Sequence, residues 1–146
     1  MSPKSLYQVE LEAITKSRLL FIEDTDVVLK EIGSRIATCL GIKRINVWLF
    51  SESRKQLVCI ANYDAEAKSF DKGEVINEVD IPNYFAHLLT DEILVINNVK
   101  TDPVTQDLKD NYCKEHNIYS MMDVPIHVEG NLAGVMCYEQ VGEFKE

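Results

Sequence analysis

The stretch IYSMMDVPIHVEGNLAGVMCYEQV, Ile118 to Val141, decides how this chain folds. Two runs rich in β-branched, aromatic and sulfur-bearing side chains flank Glu129-Gly130-Asn131, whose Gly and Asn suit a tight hairpin turn. The pattern predicts strands over Ile118–Val128 and Leu132–Val141, paired antiparallel. Alternation puts Ile118, Met122, Val124 and Ile126 on one face, with Val135 and Cys137 from the second strand. Tyr119, Met121, Asp123, Pro125 and His127 then share the other face with Met136 and Tyr138. A carboxylate at Asp123, set between methionines, has to be hydrogen-bonded, paired or solvated.

Upstream, Arg44 to Ser51 and Gln56 to Tyr63 read as a second antiparallel hairpin across the polar connection Ser51-Glu52-Ser53-Arg54-Lys55. A weaker strand is expected near Glu74 to Val79. Asp80 and Pro82 predict the start of a short helix with Phe85, Leu88 and Leu89 on one side. Ile93 to Ile96 predicts a short apolar strand. Asp102-Pro103 predicts a further helix carrying Val104, Leu108 and Tyr112 at four-residue spacing, closed by Asn117. At the other end, Val28, Leu29, Ile32, Ile36, Cys39 and Leu40 form the stripe of a helix stopped at Gly41. Before it, Ser5 to Phe21 has helical spacing on Tyr7, Leu11 and Ile14. The order is helix, helix, two strands, a weak strand, then helix, strand, helix and two strands. Because the clear strand pairs are hairpins, an α+β fold is expected: an antiparallel sheet of five to six strands with helices on both faces.

Composition narrows the function. The chain has 146 residues, enough for one core, with 46% hydrophobic residues. Its 24 acidic against 15 basic residues give a charge of −9. That balance repels nucleic acid and anionic lipid, so neither is an expected partner. No apolar run is long enough for a membrane helix, and the N-terminus lacks the pattern of a secretory signal. The expectation is a soluble, cytoplasmic location. Cys39, Cys59, Cys113 and Cys137 form no Cys-x-x-Cys pair, which argues against a zinc ribbon, and they read as reduced core thiols. His87, His116 and His127 show no metal-ligand spacing with each other.

The chain resembles the GAF domain family, notably GAF domains of bacterial histidine kinases and diguanylate cyclases. The resemblance is carried by Ile36-Ala37-Thr38-Cys39-Leu40-Gly41, Arg44-Ile45-Asn46-Val47-Trp48-Leu49-Phe50 and Pro82-Asn83-Tyr84-Phe85. It continues through Val95-Ile96-Asn97-Asn98-Val99 with Asp102-Pro103, and is most specific in the last hairpin. It implies a profilin-like central sheet, a small-molecule pocket on the loop-and-helix side, and terminal helices that mediate dimers. The implied division is an amphipathic linker or dimer helix over 1–22, the GAF domain over 23–142, and an exit over 143–146 toward a further helix. The expected setting is a module of a larger signalling protein, such as a two-component sensor, whose output domain lies elsewhere.

Bilin-binding relatives carry Cys-His where this chain reads Leu108-Lys109, and cyclic-nucleotide-binding relatives carry Asn-Lys where it reads Gln106-Asp107. The Gly-Val-Cys-Gly loop of methionine sulfoxide reductases of this fold is missing. Cys113 and His116 form a Cys-x-x-His pair that could favour a thiolate. No catalytic residue, cofactor or metal is therefore expected. The candidate ligand-binding residues are Trp48, Tyr84, Phe85, Met121, Asp123 and Tyr138. Two readings of Asp123 stay open: an anchor for a ligand's donor group, or a cap for a neighbouring backbone. Two readings of the whole also stay open: a ligand-binding sensory module, or a structural dimerisation module with a pocket filled by its own side chains; a third, a stand-alone redox enzyme of this fold, lacks a catalytic constellation.

Overall fold

The computed structural model describes residues 25–142. The expected helix over Ser5–Phe21, with the dimer assigned to it, lies outside the described residues, as does 143–146. The first described helix, α1 (Thr25–Leu40), ends at Gly41, whose φ of +66° is the left-handed stop that a side chain would strain. The strands are β1 (Arg44–Phe50), β2 (Gln56–Asp64), β3 (Ser69–Asp71), β4 (Val75–Asn77), β5 (Leu94–Ile96), β6 (Ile118–Val128) and β7 (Asn131–Val141). They form one seven-stranded sheet in the order β3-β2-β1-β7-β6-β5, with β4 pairing the other half of β2. Every pair is antiparallel. The sheet is thus wider than the five to six strands expected. Its short β3 and β4 carry too few residues to show an alternation in sequence.

Beta-bulges correct the expected faces. Ile126 pairs with Gly134 but His127 with Leu132, so Ala133 is an extra residue on β7. Asp123 therefore pairs with Cys137 and Met121 with Glu139, while Met122 pairs with Tyr138 and Val124 with Met136. Residues directly opposite share a face. A second bulge makes Tyr119 the extra residue on β6 and returns Ile118 to the side of Met121 and Asp123.

The sheet's two faces carry separate apolar clusters. Ala37, Ile45 and Tyr63, with Met136 and Tyr138 against them, pack beneath α1. The larger cluster runs from Trp48, Leu57 and Cys59 through Val135 and Cys137 to the cover on the opposite face. That cover contains α2 (Pro82–Leu88) and the segment 103–116. This segment is a 3-10 turn, Pro103–Thr105, followed by a π-helical turn, Lys109–Cys113, rather than the single α-helix expected from its four-residue spacing. The Asp102 carboxylate accepts from Val104 N at 2.9 Å, as the capping signal predicts. Asp80 does not cap α2; it ends a 3-10 turn, Glu78–Asp80. Asp107 caps α2 from across the cover instead, accepting from Asn83 N at 2.6 Å and Tyr84 N at 3.2 Å. On α2, Tyr84, Phe85 and Leu88 are buried, while Leu89 beyond its end is exposed.

Candidate functional site

Alternation along β1 aims Arg44, Asn46 and Trp48 at the cover, and Glu139, Cys137 and Val135 of β7 stand directly opposite them. Four of these side chains, with Tyr112 from the π-helical turn, build a buried polar chain. The Trp48 indole donates to Asn46 Oδ1 at 2.6 Å, and Asn46 Nδ2 donates to Glu139 Oε1 at 2.8 Å. The Tyr112 hydroxyl donates to Glu139 Oε2 at 2.9 Å. Arg44 Nη1 lies 3.6 Å from Glu139 Oε1, close enough for charge attraction but too long for a hydrogen bond. Burial pushes the Glu139 carboxyl up, against the pull of Arg44, Asn46 and Tyr112. At Arg44 burial works the other way, yet the negative charge of Glu139 and its neighbours leaves the guanidinium raised. Glu139 is wholly enclosed, whereas Arg44 edges a groove.

Beside this chain, the Tyr84 hydroxyl donates to Asp123 Oδ2, bringing α2 onto β6. Asp123 is 1% exposed, and its Oδ1 has no hydrogen-bond partner among the described residues. Burial pushes the Asp123 carboxyl up to about 6, with the Tyr84 hydroxyl and the Cys137 thiol pulling the other way. Among the described residues Asp123 caps no backbone, and it is closed off from solvent. Because its folded pKa lies above the ordinary 3.8, the native state holds the proton longer than the unfolded chain. Stability then falls as pH rises from about 4 to 6, and the deficit persists above that, at roughly 3 kcal/mol. Asp123→Asn is expected to flatten this slope and to stabilise the protein at pH 8 by about 1–3 kcal/mol. Urea unfolding at pH 5 and pH 8 checks it; a variant less stable at pH 8 would contradict this account of Asp123.

Trp48, Tyr84 and Met121 meet at a cavity of about 10 Å³, completed by Leu57, Ile76, Leu108, Tyr112, Val135 and Cys137. That is room for about one water molecule. Phe85 is buried in the same cluster and stacks edge-on to Phe50 at 5.4 Å, but does not line the cavity. Asp123 reaches it only through Tyr84 and Cys137. Tyr138 is corrected as a candidate: the bulge at Ala133 turns it to the α1 side, where it packs with Met136. Sequence reading passed over Arg44, Asn46, Tyr112 and Glu139. The signal was present in Arg44-x-Asn46-x-Trp48, where alternate polar residues share a face with a tryptophan.

Cysteine chemistry finds no support here. Cys113 is 1% exposed, and burial pushes its thiol up to about 12, so it is protonated at neutral pH and a poor nucleophile. The Cys113–His116 reading fails for the same reason. His116 instead stacks on Tyr112 and faces Glu74, at 3.5 Å.

The family model described as GAF domain matches residues 24–146. The chain belongs to the GAF domain family. It is similar in fold to the phycocyanobilin-bound GAF domain from a cyanobacterial phytochrome, with 19% identity and a TM-score of 0.73 over 100% of this chain and 84% of that one. Residues 122 to 287 of a methyl-accepting chemotaxis protein match at 21% identity and a TM-score of 0.68, covering 88% of this chain and 79% of that one. The GAF domain of a phosphoenolpyruvate-protein phosphotransferase from Coxiella burnetii matches at 13% and 0.65, covering 94% and 78%. At such identities the likeness is one of fold. No curated protein sequence matches the chain. Among the described residues, no helix is long and apolar enough to cross a membrane.

Proposed function

We propose that this chain is the sensory domain of a signalling protein, and that it binds a small molecule between the Asp123 face of the sheet and the cover formed by α2 and 103–116. The observation that carries this reading is a fully buried carboxylate, Asp123, with one oxygen lacking a hydrogen-bond partner among the described residues and its tyrosine partner lining a cavity. Buried carboxylates with raised pKa values cluster at functional sites. The cavity is too small for a metabolite as it stands, because the rings of Trp48, Tyr84 and Tyr112 close it. Beside α2 the cover consists of short 3-10 and π-helical turns, which hold fewer repeating hydrogen bonds than a long helix and open more readily. Ligand entry then swings Tyr84 outward and frees Asp123 to accept from the ligand. The closed cavity also favours a second reading, a dimerisation module that binds nothing. Native against denatured mass of freshly purified protein separates the two. A mass excess lost on denaturation, and reduced in Asp123→Asn, supports the sensor. A native mass equal to the chain or its simple multiple, with no metabolite raising the melting temperature, supports the second reading.

A further inference from the structure

A groove of about 350 Å³ lies outside the closed cavity and shares Ile76, Leu108 and Tyr112 with it. Its lips are the start of β4 and the end of the π-helical turn, and Glu74 and Glu115 line it from either lip. His116 stands beside them, so that one donor atom from each of Glu74, Glu115 and His116 lies within 4.8 Å of the other two. The backbone holds this convergence in place: Cys59 N donates to Glu74 O at 2.8 Å, and His116 N donates to Tyr112 O at 3.1 Å. The His116 ring is set by its edge-on contact with Tyr112, at 4.8 Å between centroids. Glu74 and His116 remain open to solvent, at 39% and 25% side-chain exposure.

Two carboxylates from separate segments converge there in a chain of charge −9, and a cation between them would offset their repulsion. The His116 imidazole beside them adds a coordinating nitrogen. One imidazole and two carboxylates form a nitrogen–oxygen donor set suited to zinc-type divalent cations, with open positions for water. Tetrahedral coordination at bond lengths of about 2.0–2.2 Å draws the donors to roughly 3.5 Å apart. Side-chain rotation of the exposed glutamates covers that difference.

We propose that Glu74, Glu115 and His116 form a binding site for a zinc-type divalent cation across the mouth of the cavity. Binding ties β4 to the 108–116 turn. Its consequence for ligand entry rests on the sensory reading; the binding itself does not. Calorimetric titration of the full chain with Zn²⁺ is expected to show one site per chain, at least tenfold weaker in Glu74→Gln and in His116→Ala, and unchanged in Cys39→Ser. Zn²⁺ should also raise the melting temperature of the wild type and leave that of the Glu74→Gln/His116→Ala double variant unmoved. All three side chains are at the surface, so circular dichroism should report native folds throughout. Zn²⁺ binding that survives in the double variant, or that disappears in Cys39→Ser, overturns the site, as does absence of binding to the wild type. Those outcomes leave the sensory reading standing, and a failure to find an organic ligand leaves the metal site standing.

Discussion

Gly134→Ala is expected to cost about 3 kcal/mol or more and to lower the melting temperature by roughly 10 °C. Gly134 sits in β7 between Leu49 of β1 and Ile126 of β6, at the centre of the sheet. A Cβ there would lie 2.0 Å from the Trp48 carbonyl oxygen and 2.9 Å from Leu49 Cα. Those atoms are backbone, so relief requires β1 and β7 to part, and with them Arg44, Asn46 and Trp48 from Glu139. The contrast is Gly130, in the β6–β7 turn with a φ of +81° and nothing within 4 Å of an added Cβ. Gly130→Ala carries conformational strain alone, on the order of 1 kcal/mol. Thermal unfolding of both variants checks the pair. A Gly134→Ala protein that melts with the wild type would mean that the strands do not approach as closely as described.

Arg44→Met is expected to destabilise the protein by about 3–5 kcal/mol at pH 8. The substitution keeps most of the volume and removes the positive charge beside Glu139, which is 0% exposed. Asn46 and Tyr112 still donate to the carboxylate, but among the described residues no counter-charge remains near it. Because Arg44 pulls the Glu139 pKa down, its loss lets that pKa rise further. The sign follows: the native carboxyl takes up a proton at a higher pH, so the defect shrinks on acidification toward pH 5 and is largest in alkali. Glu139→Gln removes the other charge, and the double variant should be more stable than the sum of the single losses allows. Urea unfolding of the four proteins gives the coupling. Additive losses would show that Arg44 and Glu139 do not act as a pair.

Much of the fold was legible because strand periodicity is a local signal. The hairpins over Arg44–Asp64 and Ile118–Val141, the stop at Gly41 and the cap at Asp102 follow from neighbouring residues alone. The helix misread over 103–116 shows the limit of that signal. Val104, Leu108 and Tyr112 recur at helical spacing, yet the segment meets its cover position through two tighter and wider turns. Its Asp107 is taken up in capping α2, a bond between residues more than twenty positions apart.

By itself, then, the sequence determined the family, the antiparallel hairpins and, for the candidate site, Trp48, Tyr84, Met121 and Asp123. The tertiary structure alone decided which faces those strands present to one another. One inserted residue, Ala133, turns Tyr138 away from Asp123 and brings Cys137 and Glu139 to it, because a one-residue slip in pairing reverses every side chain beyond it. It also decided the pairing of Arg44 with Glu139 and the meeting of Glu74 with Glu115 and His116. Those contacts join segments tens of residues apart, and an isolated Glu or His carries no local signal of the partner it will meet.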